Sequence, residues 1–241
     1  PITDDNIHAA VDLWLSAEYA AYAKYGHISE WDVSSVTNME GMFQYSDEFN
    51  SDISSWDVSS VTNMAFMFSQ NWGFNVDISA WDVSSVTNMS SMFQYTSGFD
   101  GGISAWDVSS VTDMGYMFND AWGFNVDISG WNVSSVTNMN GMFGSLEFVS
   151  DELSLSEENQ CLIHTSFSSN AIWPYDWSDF CQYQDGCVGE IDAVGICGGS
   201  CLTDFNGDGI CDDDSVVTGC TYSQACNYDP SASIHDGSCD F

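Results

Sequence analysis

The chain has almost no positive charge. It carries one lysine, Lys24, and no arginine, against 36 acidic residues, for a formal charge of −35. Nucleic acid is bound by Lys and Arg neutralising phosphates, so that class of partner is excluded. Anionic lipid needs basic clusters, so it is excluded too. Phosphorylated substrates would find no side-chain cation other than Lys24. The partners left are cations, neutral glycans and other proteins. No apolar run approaches the roughly 20 residues of a membrane span. No glycine-rich phosphate loop is present, because the Gly198-Gly199 pair sits inside a cysteine cluster. His8, His27, His164 and His235 are scattered and suggest no catalytic triad, so the expected protein is not an enzyme. No leader peptide is visible and the first residue is Pro1, which reads as a mature secreted product. Cysteine is missing from the first 160 residues.

What is present can fold. Aromatic residues make up 15% of the chain and hydrophobic residues 44%, too much for an acidic disordered segment. Acidity combined with a core points to salty, calcium-containing surroundings, where carboxylates are screened or bridged.

The organising feature is a nonapeptide, Trp-Asp-Val-Ser-Ser-Val-Thr-Asn-Met. It starts at Trp31, Trp56, Trp81, Trp106 and Trp131, each step being 25 residues; Asp113 and Asn132 are its two departures. A fixed period of this size marks a solenoid, in which each repeat is one coil. Aligned on Trp56, the apolar positions are Ile53, Trp56, Val58, Val61, Met64, Met67, Phe68 and Phe74. Trp56-Asp57-Val58 has the alternation of a short strand, and Met64, Met67 and Phe68 fit one turn of helix opposite it. The expected fold is therefore an α/β solenoid of leucine-rich-repeat-like coils with short parallel strands. An N-terminal capping helix precedes it and an irregular disulfide-rich C-terminal tail follows. The divisions read as 1–27, 28–155 and 156–241. The helix is predicted over 3–25, started by Thr3, Asp4 or Asp5, with Ile7, Val11, Trp14 and Ala21 on one face and Gly26 as its stop.

Phe74-Asn75-Val76-Asp77-Ile78-Ser79-Ala80-Trp81-Asp82-Val83-Ser84-Ser85-Val86-Thr87-Asn88-Met89 resembles the unit of the BspA-like family of leucine-rich repeats, of the DUF285 type. The resemblance covers about half the chain. It implies a right-handed extracellular solenoid on a microbial or algal surface, serving adhesion, coating or partner binding, with no catalytic residues. The tail segments Gly219-Cys220-Thr221, Ala225-Cys226-Asn227-Tyr228-Asp229-Pro230 and Asp236-Gly237-Ser238-Cys239 resemble a cysteine-rich module appended to secreted proteins of marine organisms.

Several sets of residues could carry chemistry. Asp204, Asn206 and Asp208, the Ile210 carbonyl and Asp212 alternate as the oxygen ligands of a calcium loop do, with Gly209 at the turn. Ser215 stands where a bidentate carboxylate would complete the loop, and an acidic turn held only by disulfides is the alternative. The nine cysteines, Cys161, Cys181, Cys187, Cys197, Cys201, Cys211, Cys220, Cys226 and Cys239, read as disulfides of unknown pairing with one left over. Asp32, Asp57, Asp82 and Asp107 form an outward row, held apart either by hydrogen bonds from the following serines or by bridging cations. The Asn38, Asn63, Asn88 and Asn138 row, broken by Asp113, is expected to be buried and to satisfy backbone groups. Asn132 and Asn88 begin glycosylation sequons, with Asn132 the more open. The threonine row from Thr37 to Thr137 is too narrow, at one residue per coil, for an ice-binding face.

A second rhythm of 50 residues places Tyr45 and Tyr95 in alternate repeats, and Trp72 and Trp122 in the others. These aromatics fit either large-beside-small packing between coils or a docking row. The function expected is an extracellular structural or adhesive surface protein. It would be calcium-stabilised and self-associating into a filament or coat, or bound to other surface proteins or glycans. The alternative is a receptor-like module binding a glycan or protein on the strand face.

Overall fold

The computed structural model describes residues 2–144, 155–185, 217–219 and 232–235. It divides into two compact units, Pro1–Trp177 and Ser178–Phe241. In the second, α4 spans Ser178–Asp185, and β1 (Val217–Gly219) pairs in parallel with β2 (Ala232–His235).

The first unit begins with two helices rather than one. Helix α1 runs Ile7–Ser16 and α2 runs Glu18–Tyr25, with Ala17 between them in a non-helical conformation (φ −154°, ψ 67°). Ile7, Ala10, Val11 and Trp14 form the buried face of α1, the i, i+3, i+4, i+7 stripe of an amphipathic helix. Helix α2 buries only Ala21, so the bend lets the apolar face of α1 seat while α2 stays in water. Gly26, at φ 81°, ends it. Trp14 packs edge-on against Trp31, the first indole of the repeats, at 6.0 Å.

Among the described residues, the apolar positions of the coils are buried as their spacing requires. Two columns of phenylalanine run through the core. Phe43, Phe68, Phe93, Phe118 and Phe143 stack at 5.6–5.8 Å from coil to coil. Each of the first four also faces a second ring of its own coil, Phe49, Phe74, Phe99 or Phe124, at 3.8–4.1 Å. Four of the five indoles, packed against the first column, donate to a carbonyl about one coil back: Trp56 to Ile28, Trp81 to Ile53, Trp106 to Ile78 and Trp131 to Ile103, at 2.9–3.2 Å.

The expected α/β solenoid with parallel strands is not what forms. Among the described residues of the repeats there is no strand, only single parallel bridges linking Asn38, Asn63, Asn88, Asp113 and Asn138. The backbone ladder lies not at Trp-Asp-Val but in the segment after it. There, every second peptide unit sends its N–H to the next coil: Met39 to Asn63, Gly41 to Ala65, Phe43 to Met67 and Tyr45 to Ser69, at 2.9–3.0 Å. The peptide units between them close short turns, such as Gln44 N–H to the Gly41 carbonyl. This alternation puts every fourth residue in the left-handed region: Gly41 and Tyr45, Phe66 and Gln70, Ser91 and Tyr95, Tyr116 and Asp120. Neither a strand nor a helical turn tolerates such positions. Each non-glycine there costs about 1–2 kcal/mol, offset by the inter-coil bonds it makes possible.

Both edges of the stack are closed by the chain itself. In the later coils the threonine carbonyl of one coil accepts from the next: Thr37 O takes Thr62 N–H (2.8 Å), Thr62 Oγ1–H (3.2 Å) and Asn63 N–H (3.4 Å). The first coil has no predecessor. The Asp4 carboxylate fills that role, accepting Thr37 N–H (2.7 Å), Thr37 Oγ1–H (2.7 Å) and Asn38 N–H (3.2 Å). Nearby, His8 Nε2–H donates to the open Glu40 carbonyl at 2.9 Å. Asp4 therefore caps the stack rather than helix α1, whose N-cap is Asn6. The Thr37 hydroxyl and amide hold the Asp4 carboxyl below its ordinary pKa. Asp4→Ala is expected to cost about 1 kcal/mol, the low end for bonds to a charge because solvent screens this one. The contribution is full above about pH 4, where the unfolded carboxyl is ionised, and is lost as pH falls through the lower folded value. Urea titration of both proteins across that range checks it: the difference must shrink toward acid.

At the far edge the open Phe143 N–H donates to Tyr175 Oη (2.9 Å), and Tyr175 Oη–H donates to the Gly144 carbonyl (3.1 Å). Burial pushes the Tyr175 phenol up to about 12. Asn170 Nδ2 donates to the carbonyls of Val133 and Val136. Helix α3 (Glu157–Phe167), started by Ser156, sits beside them, and Trp173, Tyr175 and Trp177 cover the ring of Phe143.

Candidate binding surface

The aspartate row is exposed, and the serines hold it. Oδ1 of Asp32, Asp57 and Asp82 each accepts both the N–H and the Oγ–H of the serine two residues on, Ser34, Ser59 and Ser84, with Oγ···Oδ1 at 2.6 Å. Asp107 accepts Ser109 N–H at 3.0 Å, and Asn132 accepts Ser134 N–H at 3.2 Å. The serine hydroxyls first, and their amides second, hold Asp32, Asp57 and Asp107 below the ordinary carboxylate range. Local hydrogen bonds thus engage one oxygen of each member of the row.

A second acidic row escaped the sequence reading. Asp52, Asp77 and Asp127 accept from Ser54, Ser79 and Ser129 in the same way, and His27 and Gly102 occupy the equivalent places in the other coils. The Asp-x-Ser spacing inside each Asp-Ile-Ser was the signal available. The asparagine row is only half-buried, and Asn38 is exposed; burial was the wrong expectation. Its oxygens do satisfy the backbone, accepting the N–H two residues on: Asn38 from Glu40, Asn63 from Ala65, Asn88 from Ser90, Asp113 from Gly115 and Asn138 from Asn140. Of the sequons, Asn132 is exposed, whereas half-buried Asn88 also accepts the Ser90 hydroxyl.

Cys161 and Cys181 are disulfide-bonded. Asp204, Asn206, Asp208, Ile210 and Asp212 lie outside the described residues, as do Cys187, Cys197, Cys201, Cys211, Cys220, Cys226 and Cys239. No helix among the described residues is long and apolar enough to cross a membrane.

The 50-residue rhythm resolves toward the surface. Tyr45 is 66% exposed, Trp72 61%, Tyr95 39% and Trp122 56%, so the four rings point outward instead of filling gaps between coils. The backbone bonds Tyr45 N–H to Ser69 O, Gln70 N–H to Gln94 O and Tyr95 N–H to Asn119 O put Tyr45, Gln70, Tyr95 and Asp120 in one column. The Trp72 and Trp122 column runs two residues further along the coil. Successive coils therefore present tyrosine, tryptophan, tyrosine, tryptophan. The charge of the Asp120 carboxylate first, and partial burial second, raise the phenol pKa of Tyr95.

A family model described as Mycoplasma protein of unknown function, DUF285, matches residues 15–103 and, overlapping them, 77–171. The chain belongs to this DUF285 family. The match begins near the end of α1, takes in all five coils and extends just past α3, so the DUF285 region includes Asn170 but stops short of Trp173, Tyr175 and Trp177, which close the far edge. All the cysteines except Cys161 lie beyond it. No curated protein and no solved structure matches the chain.

Proposed function

We propose that this chain is an extracellular structural or adhesive surface protein, stabilised by calcium and able to associate with copies of itself in a coat or filament. One observation carries the reading: the same outward groups recur at each of five stacked coils, while both edges are sealed by Asp4 and His8 on one side and Asn170 and Tyr175 on the other. Sealed edges leave the long sides for contact, so association runs side to side instead of coil onto coil. No catalytic role is part of this reading. Calcium is assigned to the loop of Asp204, Asn206, Asp208, Ile210 and Asp212, whose oxygens suit a hard cation. Light scattering and cryo-microscopy of the full chain, with calcium and then with EDTA or reductant, test both parts. Assemblies that form with calcium and shrink with EDTA are expected. A monomer under every condition overturns the assembly.

A second reading, a module that binds a partner through its side, is favoured by the exposed aromatic row.

A further inference from the structure

We propose that Tyr45, Trp72, Tyr95 and Trp122 form a binding face for an extended, neutral polysaccharide, whose sugar rings lie flat on the aromatic faces. The inference deepens the partner-binding reading above and rests on it.

Large aromatic side chains are costly to leave in water, and a single exposed one needs no explanation. Here four consecutive coils each expose a ring of the 50-residue rhythm, tyrosine alternating with tryptophan, and the fourth coil exposes Tyr116 as well, outside that rhythm. Random surface hydrophobicity does not produce that order. Two of the four rings stand on a backbone fixed from coil to coil, since Tyr45 and Tyr95 hold left-handed positions locked by inter-coil bonds. A platform whose backbone is fixed before binding loses little entropy on association.

The spacing identifies the kind of ligand. Coils joined by backbone hydrogen bonds rise by about 4.8 Å, so like rings recur at about 10 Å. A straight polymer of equatorially linked pyranose rings presents the same face at every second sugar, a repeat of comparable length. Sugar C–H faces pack on the negative faces of indole and phenol rings. Polar groups beside the rings complete the match: the Gln70 amide lies in the tyrosine column, and the Asp120 carboxylate lies near the Tyr95 phenol. Such groups bond sugar hydroxyls.

Charge removes the rivals. With −35 overall and one lysine, the protein repels sulfated and uronic polymers, nucleic acid and anionic membranes. A basic protein would be attracted, but it would bind through carboxylates and its affinity would fall with salt. A neutral polymer would bind equally at low and high salt.

The test uses the full chain and three neutral polymers, insoluble β-1,4-glucan, chitin and mannan, with dextran sulfate as the anionic control. Retention on at least one neutral polymer, unchanged by salt, is expected, with none on dextran sulfate. Trp72→Ala and Trp122→Ala should each lower affinity about tenfold and the pair about a hundredfold, because sites this far apart act additively. Tyr19→Ala, removing an exposed ring on α2, is the control that should change nothing. Circular dichroism should show all variants folded, since the side chains removed are on the surface. Failure on all three polymers overturns the proposal. So does binding that survives the double substitution, or salt-sensitive capture of a basic protein that the double substitution abolishes. Side-to-side association, measured on the same double variant, separates the two readings: if it persists while the native chain binds no polymer, the glycan face is wrong and the surface role stands.

Discussion

Phe93→Ala is expected to destabilise the protein by about 3–5 kcal/mol, the range for emptying a buried phenylalanine site. Phe93 has no exposed surface. Its ring stacks on Phe68 at 5.7 Å below, on Phe118 at 5.8 Å above and on Phe99 at 4.1 Å in its own coil, and it tilts against Trp106 at 6.4 Å. The lost ring would leave a cavity spanning three coils. Backbone bonds fix the coil spacing, so the walls cannot collapse to fill it. Stability in a stack is a sum of contacts between neighbours. Phe43 has a following coil but no preceding one, and Phe43→Ala should therefore cost less than Phe93→Ala. Urea unfolding measures both, with stability read from the midpoint at unchanged slope. Equal losses at the two positions, or a loss at Phe93 under about 1 kcal/mol, would contradict a core built on the stacked column.

Gly98→Ala should do comparable damage with a single methyl group. A β-carbon at Gly98 would lie 2.8 Å from the Trp72 carbonyl oxygen, which is backbone and cannot swing away. At Gly73 it would lie 2.8 Å from the Asp47 carbonyl, and at Gly123 it would strike that of Ser97. The turn after each exposed tryptophan, and its equivalent between them, presses on the coil before it. The first coil has nothing before it, and Glu48 occupies that place. Overpacking of this kind costs about 1–3 kcal/mol or more. Gly130→Ala meets no atom within 4 Å and is the internal comparison. It should be neutral, or stabilising by a few tenths of a kcal/mol through the unfolded chain. Thermal unfolding of the two variants checks the contrast; if Gly98→Ala melts with the parent, the coils are not in the contact described.

Burial was legible in the sequence and backbone was not. The apolar letters of each repeat, from Ile53 to Phe74, name the core because a 25-residue period without insertions puts equivalent side chains in columns. Trp-Asp-Val looked like a strand because three residues of alternation fit any extended segment. The real ladder was hidden in Asn-Met-x-x-Met-Phe and the two residues after it, where the left-handed residues are mostly Tyr, Phe, Gln, Ser and Asp and seldom Gly. Gly41 and Gly141 occupy that column at its two ends and were the only hint. The break at Ala17 had none, alanine being the best helix former. Asp4 read as a helix cap because local pattern cannot show an acceptor needed 33 residues away. Trp173, Tyr175 and Trp177 were visible as apolar bulk, but what they cover follows only from the chain's return to Phe143. For the candidate site, the sequence supplied the four aromatics and their period; whether they pointed in or out depended on the turn geometry it concealed.

The carboxylate of Asp4 impersonates the carbonyl that a preceding turn of the spiral would have offered. The far terminus is likewise finished by residues foreign to the repeated unit. Length between those two stoppers is then adjustable: a duplicated or deleted block slots into unaltered junctions, and the molecule is lengthened or shortened like a ruler. Blocks of 50 residues, not 25, keep the alternation of phenol and indole in phase.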